Sequence, residues 1–440
     1  MTLLMTACSS DEGTPVVTIP SGDQMVVFSA AMDMGENTTT RVGFNQDISN
    51  EKGLATPMGL TYDKGGFGVF GCYTGLHKYV DSNVSPDFMY NEHVTYDTDH
   101  WTYSPMKYWP NGEGTVTGNT GENKHYVSFM AYAPYSDNDE SAPTTNPAGY
   151  CIPTFSLQGE VGNPWLTYRL HSDVEHQVDL LYASHKGVYP DNFEEEGYHP
   201  LLDWTKPATT TKVKFVFDHA LACVGDKVTI ICSKGLQNQV FGRVAGSITN
   251  ARVEVTSVTI EYTLTAKARL VLWNHGEANW QTIWSEAPTC TRTVTLIGAD
   301  NPDPYKSITL YDKVRDGAPS IESTDPQQRI ENKGVFYIPI ELDGYAQTAK
   351  VNITYRIGTT TDGTAWLYDA DNEGSATITL RDYAEAYKSG KHLYINVTLN
   401  QMNIALTAAI APWEVEDPVD MEGVETAAPR RNTNLQGETK

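Results

Sequence analysis

The chain has 440 residues, 40% of them hydrophobic, and carries 55 acidic against 31 basic side chains for a net charge of −24. That length exceeds one ordinary domain and predicts two of about 200 residues each, while the acidic balance excludes nucleic acid and anionic membrane surfaces as natural partners. With 25 Tyr and nine Trp and few long helix-forming runs, the composition leans toward β structure.

The opening residues, Met1-Thr-Leu-Leu-Met-Thr-Ala-Cys8-Ser-Ser-Asp11-Glu12, place a small residue directly before Cys8 after a short apolar run. This resembles the lipobox of a bacterial lipoprotein signal peptide and predicts lipidation at Cys8; the alternative is a chance cysteine in a polar tail. No basic n-region precedes the apolar run, so the signal is expected to start upstream of Met1. Residues 1–23 thus read as a truncated signal and flexible tether. Residues 24–30, Gln-Met-Val-Val-Phe-Ser-Ala, form the first predicted strand. The polar stretch after it carries Arg41 beside three threonines, in a loop open to a protease. Residues 66–73 predict a strand whose glycines mark bulges or close backbone approach, and residues 90–103 a hairpin turning at Asp97-Thr-Asp-His100.

Next comes an aromatic segment, Trp101-Thr-Tyr-Ser-Pro-Met-Lys-Tyr-Trp-Pro110, and after a polar insert the strand 127–135. In that strand Val127, Phe129, Ala131 and Ala133 alternate with Ser128, Met130 and Tyr132, which predicts one buried face. Pro105 and Pro110 stop the aromatic piece from continuing as a central strand. It is expected to lie as a lid over a β-sandwich core, its Tyr and Trp rings burying apolar bodies.

Strands are predicted at 152–157 and 178–183. Residues 187–207 hold three prolines, a Glu194-Glu-Glu run and no periodicity, so the domain boundary is expected there, with a second choice near Gly246. Beyond it the chain is strand-dense. Along 252–264 the apolar parity changes once, which predicts a one-residue bulge near Ser257; Val351, Ile353, Tyr355 and Ile357 alternate without a break. Residues 381–388 predict one short helix stopped at Gly390, and residues 401–410 the last strand. Many short strands with turns between them predict antiparallel sandwiches: a first domain over 24–206, a second over 207–415, and a flexible tail over 416–440.

No catalytic constellation emerges. Asp369-Ala-Asp-Asn-Glu-Gly374 begins like a calcium loop, but Leu380 stands where the bidentate glutamate is required, so a turn between strands is expected. His93 and His100 flank a hairpin with no third ligand placed by spacing, and no nucleophile elbow, zinc or phosphate-loop motif occurs. The chain therefore reads as no enzyme, with no cofactor and no metal. Apart from Cys8, five cysteines without CxxC spacing argue against zinc; Cys223 and Cys232 are read as buried free thiols in preference to a hairpin disulfide.

The order of segments 101–110, 127–135, Asp179-Leu-Leu-Tyr-Ala183, 213–222 and the closing Ala-Ile-Ala-Pro-Trp413 resembles the fimbrillin family, the Mfa-like subunits of surface fimbriae of Gram-negative anaerobes. The resemblance covers roughly residues 20 to 415. It implies an all-β chain of two transthyretin-like antiparallel β-sandwich domains in tandem, a lipid anchor in the outer membrane through Cys8, and assembly with other fimbrial subunits at the cell surface. It further implies that cleavage after Arg41 releases the first strand, Met25, Val26, Val27 and Phe28 included. A neighbouring subunit's C-terminal region, with Ile404, Leu406, Ile410 and Trp413, would then fill the groove. The other reading is a surface-anchored sandwich lipoprotein that binds a host or bacterial surface glycan or protein without polymerising. Clustered solvent-facing aromatics would favour binding, buried aromatics beside a replaceable strand assembly.

Overall fold

The structure, a computed structural model, describes residues 24–32, 66–80, 84–97, 100–110, 125–137, 151–171, 177–183, 201–207, 209–236, 250–265, 267–274, 277–281, 289–301, 306–314, 327–331, 334–340, 348–360, 365, 367–379, 388–399 and 404–412. Along the first half run β1 (Val27–Met32), β2 (Phe67–Gly75), β3 (Met89–Asp97), β4 (His100–Thr102), β5 (Tyr126–Ala133), β6 (Thr154–Phe155), β7 (Trp165–Arg169) and β8 (Leu181–Ala183). Then follow β9 (Lys212–His219), β10 (Ala222–Cys232), β11 (Asn250–Thr265), β12 (Lys267–Asn274), β13 (Glu277–Gln281) and β14 (Thr289–Ile297). The chain continues through β15 (Ile308–Val314), β16 (Gln327–Glu331), β17 (Val335–Tyr337), β18 (Thr348–Thr360), β19 (Leu367–Thr379), β20 (Lys391–Leu399) and β21 (Ile404–Pro412). The all-β expectation holds.

Seven strands form the first sheet in the order β1-β9-β8-β5-β2-β3-β4. Its two ends meet, because β1 lies beside β4 and residue Met25 bridges Tyr108 just beyond it. Every strand sends side chains into one core, among them Phe28, Phe67, Met89, Trp101, Phe129, Leu181, Phe215 and Phe217. Closing the sheet this way covers backbone groups that an open edge would leave unpaired. The outer side of β2 and β5 is covered as well: Phe70, Cys72, Met130 and Tyr132 pack with Phe155, Leu166 and Tyr168 of a second sheet, ordered β13-β12-β7-β6. The expectation of one buried face on β5 is thereby corrected. β5 runs between two cores, and its Ser128 and Tyr132 hydroxyls find partners at Asp203 N and Asn91 Oδ1. Gly68 permits this crowding, since a Cβ there would lie 2.3 Å from the Tyr132 ring.

Two further sheets, β16-β10-β20-β21 and β14-β11-β18-β19, enclose the continuation of the second core. β17 joins β16 along one edge of β10, and β15 joins β14 along one edge of β11. The bulge expected near Ser257 is present: the β11–β18 register shifts by one residue between Val255 and Ser257.

Two expectations are corrected. The pairings β1–β9 and β10–β20 are parallel, so these two sheets are mixed; each joins an early strand to one that returns only after a long excursion. Residues 369–374 lie inside β19 rather than at a turn. β9 lies past residue 207 yet pairs with β1 and β8, and β7 pairs with β12, so the hydrogen bonding is not partitioned at 206/207. Nor is 201–204 a bare linker: Leu201 is buried, and Trp204 exchanges backbone hydrogen bonds of 2.8 and 2.9 Å with Val127. Residues 381–387 of the expected helix lie outside the described residues.

Candidate functional site

The first strand and the aromatic segment form one unit. Strand periodicity sends Val26, Phe28 and Ala30 into the core, while Val27 and Ser29 are half-buried and Met25 is 44% exposed. The slot is therefore filled by Val26 and Phe28 with Ala30, and Met25 contributes little to it. Phe28 is boxed by three rings, Tyr103, Phe129 and Phe215, with centroids 5.3, 5.7 and 5.2 Å away. Burying a side chain of that size is worth about 1.5–3 kcal/mol.

On one side β1 pairs with β9, from Val27 opposite Lys212 to Met32 opposite Phe217. On the other side residues 24–26 meet the aromatic segment through its main chain. Val26 N donates to Lys107 O at 2.9 Å, and Trp109 N donates to Gln24 O at 3.0 Å. The Tyr103 hydroxyl donates to Val26 O at 2.8 Å and accepts from Lys107 N at 3.3 Å. Burial pushes the Tyr103 phenol well above its ordinary pKa, so it stays a donor. Gln24 Nε2 adds a bond of 2.7 Å to Thr209 O. Apart from Gln24, the seat holds its strand by main-chain bonds and apolar packing.

The lid expected over the core is present. Trp101 packs edge-on to Phe67 at 4.9 Å, and Trp109 stacks on Trp204 at 5.9 Å. Both indole N–H groups are buried without a hydrogen-bond partner, which marks ring packing as the reason for these residues. Sequence reasoning missed Tyr103 as a main-chain ligand and Trp204 as part of the lid. The one available signal for Trp204 was a tryptophan standing in a stretch otherwise rich in proline and acid.

The remaining candidates are dispersed. Cys8, Arg41 and Trp413 lie outside the described residues. Ile404, Leu406 and Ile410 belong to β21, at the end of a different sheet, where they stand opposite Leu399, Val397 and Leu393 of β20. His93 stacks on Tyr135 at 3.7 Å. Cys72, Cys151, Cys223 and Cys232 are buried and in no disulfide, in agreement with the reading of Cys223 and Cys232 as buried thiols. Burial pushes the Cys151 thiol up to about 12 and Cys72 higher still, so both stay protonated and unreactive. Among the described residues no group of His, Cys, Asp and Glu side chains is arranged to hold a metal ion.

No family model matches the chain. A curated relative, fimbrium subunit Fim1C of Phocaeicola vulgatus, is 22% identical over 409 residues, covering 88% of this chain and 93% of the relative. A solved fimbrial protein from Bacteroides vulgatus shares the fold with a TM-score of 0.59 at 19% identity, over 89% of this chain and all of that one. The resemblance read from the sequence segments holds across nearly the whole length.

Proposed function

We propose that this chain is a subunit of a surface fimbria, at the stalk or the tip, exported as an outer-membrane lipoprotein through Cys8 and assembled by strand replacement. In this reading cleavage after Arg41 frees β1, and a segment from a neighbouring subunit's C-terminal region takes its place, with adhesion as the role of the finished filament. The observation that carries it is the way β1 is held. Residues 24–32 fill a hydrophobic slot with alternate side chains and are held largely through their main chain, β1 by β9 on one side and residues 24–26 by the aromatic segment on the other, so another strand of suitable shape can reproduce nearly every contact. The similarity to a fimbrium subunit over 409 residues supports the same reading.

The distribution of aromatics favours assembly over a glycan- or host-binding surface. Trp101, Tyr103, Trp109, Tyr132, Tyr168, Tyr262 and Tyr337 are all buried, and among the described residues Tyr73 is the one aromatic in the set of large exposed apolar side chains. The test is direct. Treating the purified chain with an arginine-specific protease is expected to yield a new N-terminus at Val42 together with oligomers by light scattering. Cleavage at that site with a product that stays monomeric at all concentrations would sink the proposal.

A further inference from the structure

Exposed apolar side chains gather at one end of the first sheet. β5 is antiparallel to both β2 and β8, and β9 is antiparallel to β8. β1 lies parallel to β9, so β1 and β5 start at the end where β2 stops. Residues 76–80 follow β2 there, fastened by Tyr79 N, which donates to Asp203 Oδ1 at 2.7 Å, and by the Tyr79 hydroxyl, which donates to Asn163 Oδ1. Residues 156–163 join them, with Gly162 N donating to Val84 O at 2.7 Å. Among the described residues seven large apolar side chains are exposed, and six of them, Met25, Tyr73, Leu76, Val80, Leu157 and Val161, stand at this end; the seventh is Leu367 on β19. A cluster of that kind on two anchored loops marks a face that meets something apolar.

Two observations choose what it meets. Residue 24 enters the sheet at this same end, so a lipid on Cys8 would lie within about 55 Å of it along even a fully extended chain. The charge is also unlike that of the whole molecule. Against a net charge of −24, the described residues here set Lys78, Lys107, Lys206 and Lys212 against Asp87, Glu160 and Asp203, and the Glu160 carboxylate is turned back to accept from Leu157 N at 2.7 Å. A face that is apolar at its tips and close to neutral around them carries no acid excess to repel a phospholipid surface. Beside the tips stand Tyr73 and the half-buried Tyr108, Tyr126 and Trp204, rings whose apolar body and polar edge match the headgroup layer.

We propose that this end of the first sheet is a membrane-docking face, whose residues 76–80 and 156–163 enter the headgroup layer of the phospholipid bilayer that holds the Cys8 lipid. The inference rests on the lipid-anchor part of the reading above and adds which end of the molecule faces the bilayer and which side chains enter it.

The test holds the full chain on phosphatidylcholine vesicles through a histidine tag ahead of Met1 and a nickel-chelating lipid, which stands in for the Cys8 anchor and supplies a high local concentration of bilayer. Amide hydrogen exchange is compared with that of the same chain held on nickel beads. Residues 76–80 and 157–162 are expected to exchange about threefold or more slowly on vesicles, with β19 and β21 unchanged. Leu76→Asp combined with Leu157→Asp should abolish that protection, by placing charges where apolar side chains enter the bilayer. The parent side chains are 54% and 71% exposed, so the fold tolerates the change, which an unaltered thermal melt checks. Leu367→Asp, on β19, should leave the protection intact. Absence of protection on vesicles, or its equal loss in Leu367→Asp, would overturn the inference. So would protection that fades when the tether density is lowered about tenfold, since a second copy of the chain would then be what covers the loops. Fatty-acid labelling of Cys8 in cells separates the two readings: a labelled Cys8 with unprotected loops removes the docking face alone, whereas an unlabelled Cys8 removes the lipid anchor and the docking face with it.

Discussion

Glu254 on β11 is nearly buried, and it stays ionised because three donors converge on it. Tyr368 and Arg356 Nε reach one carboxylate oxygen at 2.6 and 2.9 Å, and Ser307 reaches the other at 2.7 Å. Burial raises its pKa, but these bonds outweigh burial and the net shift is downward from 4.5. A depressed carboxylate contributes stability that is complete above the unfolded value and fades as pH falls through the lower folded one. Glu254→Gln is therefore expected to cost about 1–3 kcal/mol at pH 7, and the gap to the parent should narrow below about pH 4.5 in urea titrations. A gap that stays constant from pH 7 to 3 would show that the carboxylate charge is immaterial. Asp179 and His219 make a second polar contact, here wholly inside the protein, where they hydrogen-bond to each other. Removing one partner from such a pair leaves the other stranded, so His219→Ala is expected to cost about 3–5 kcal/mol. The double replacement Asp179→Leu with His219→Leu should recover much of that loss, as measured by chemical denaturation.

Among the elements, β11 shows how far alternation can be trusted. Its parity change at Ser257 was legible because a bulge adds one residue and leaves the apolar face otherwise intact, with Val253, Val255, Val258, Ile260 and Tyr262 all buried. Two deletions separate this account from simple sensitivity of a central strand. Deleting Thr256 removes the extra residue and keeps every apolar side chain facing in, so its cost is expected to stay under about 2 kcal/mol. Deleting Thr259 reverses the face of all that follows and should abolish cooperative unfolding. Equal effects of the two in thermal melts would refute the bulge as the cause. Other elements were not legible, each for a physical reason. Alternation in β5 marks two faces but does not tell water from a second core, when small or hydrogen-bonded side chains such as Ser128 and Tyr132 suit both. The acid-rich run 369–374 carries the composition of a turn, yet its backbone is held in β19 by pairing with β18, with Gly374 opposite Tyr355 and Glu373 opposite Arg356. Composition records side-chain preference, and here the ladder outweighs it. Of the candidate site, the apolar residues of the first strand were readable, but not its neighbour, because β1 and β9 lie about 180 residues apart in the sequence and local pattern carries no information on pairing at such range.

For the whole molecule, the question raised by β9 and β12 is whether residues 24–206 are a folding unit. Without β9 that stretch lacks the strand between β1 and β8, and without β12 and β13 its β6–β7 hairpin loses half of the second sheet. The junction is further tied by polar bonds that reach across the sequence. Gln177 Oε1 accepts from Phe336 N at 3.0 Å, Leu272 N donates to Pro164 O at 2.9 Å, and Ala220 N donates to Leu180 O at 2.7 Å. The second core itself runs without interruption from Phe70 to Leu399. A fragment ending at residue 206 would thus expose Phe28, the edge of β7 that β12 covers and one edge of β8 at once, and burial of the apolar area there is what offsets the entropy of ordering the chain. The fragment is expected to show no cooperative melt by circular dichroism, while the intact chain unfolds in one calorimetric transition. A fragment that melts sharply at the temperature of the parent would instead establish an independent first domain, and the strand β9 would then be an accessory to a fold already complete without it.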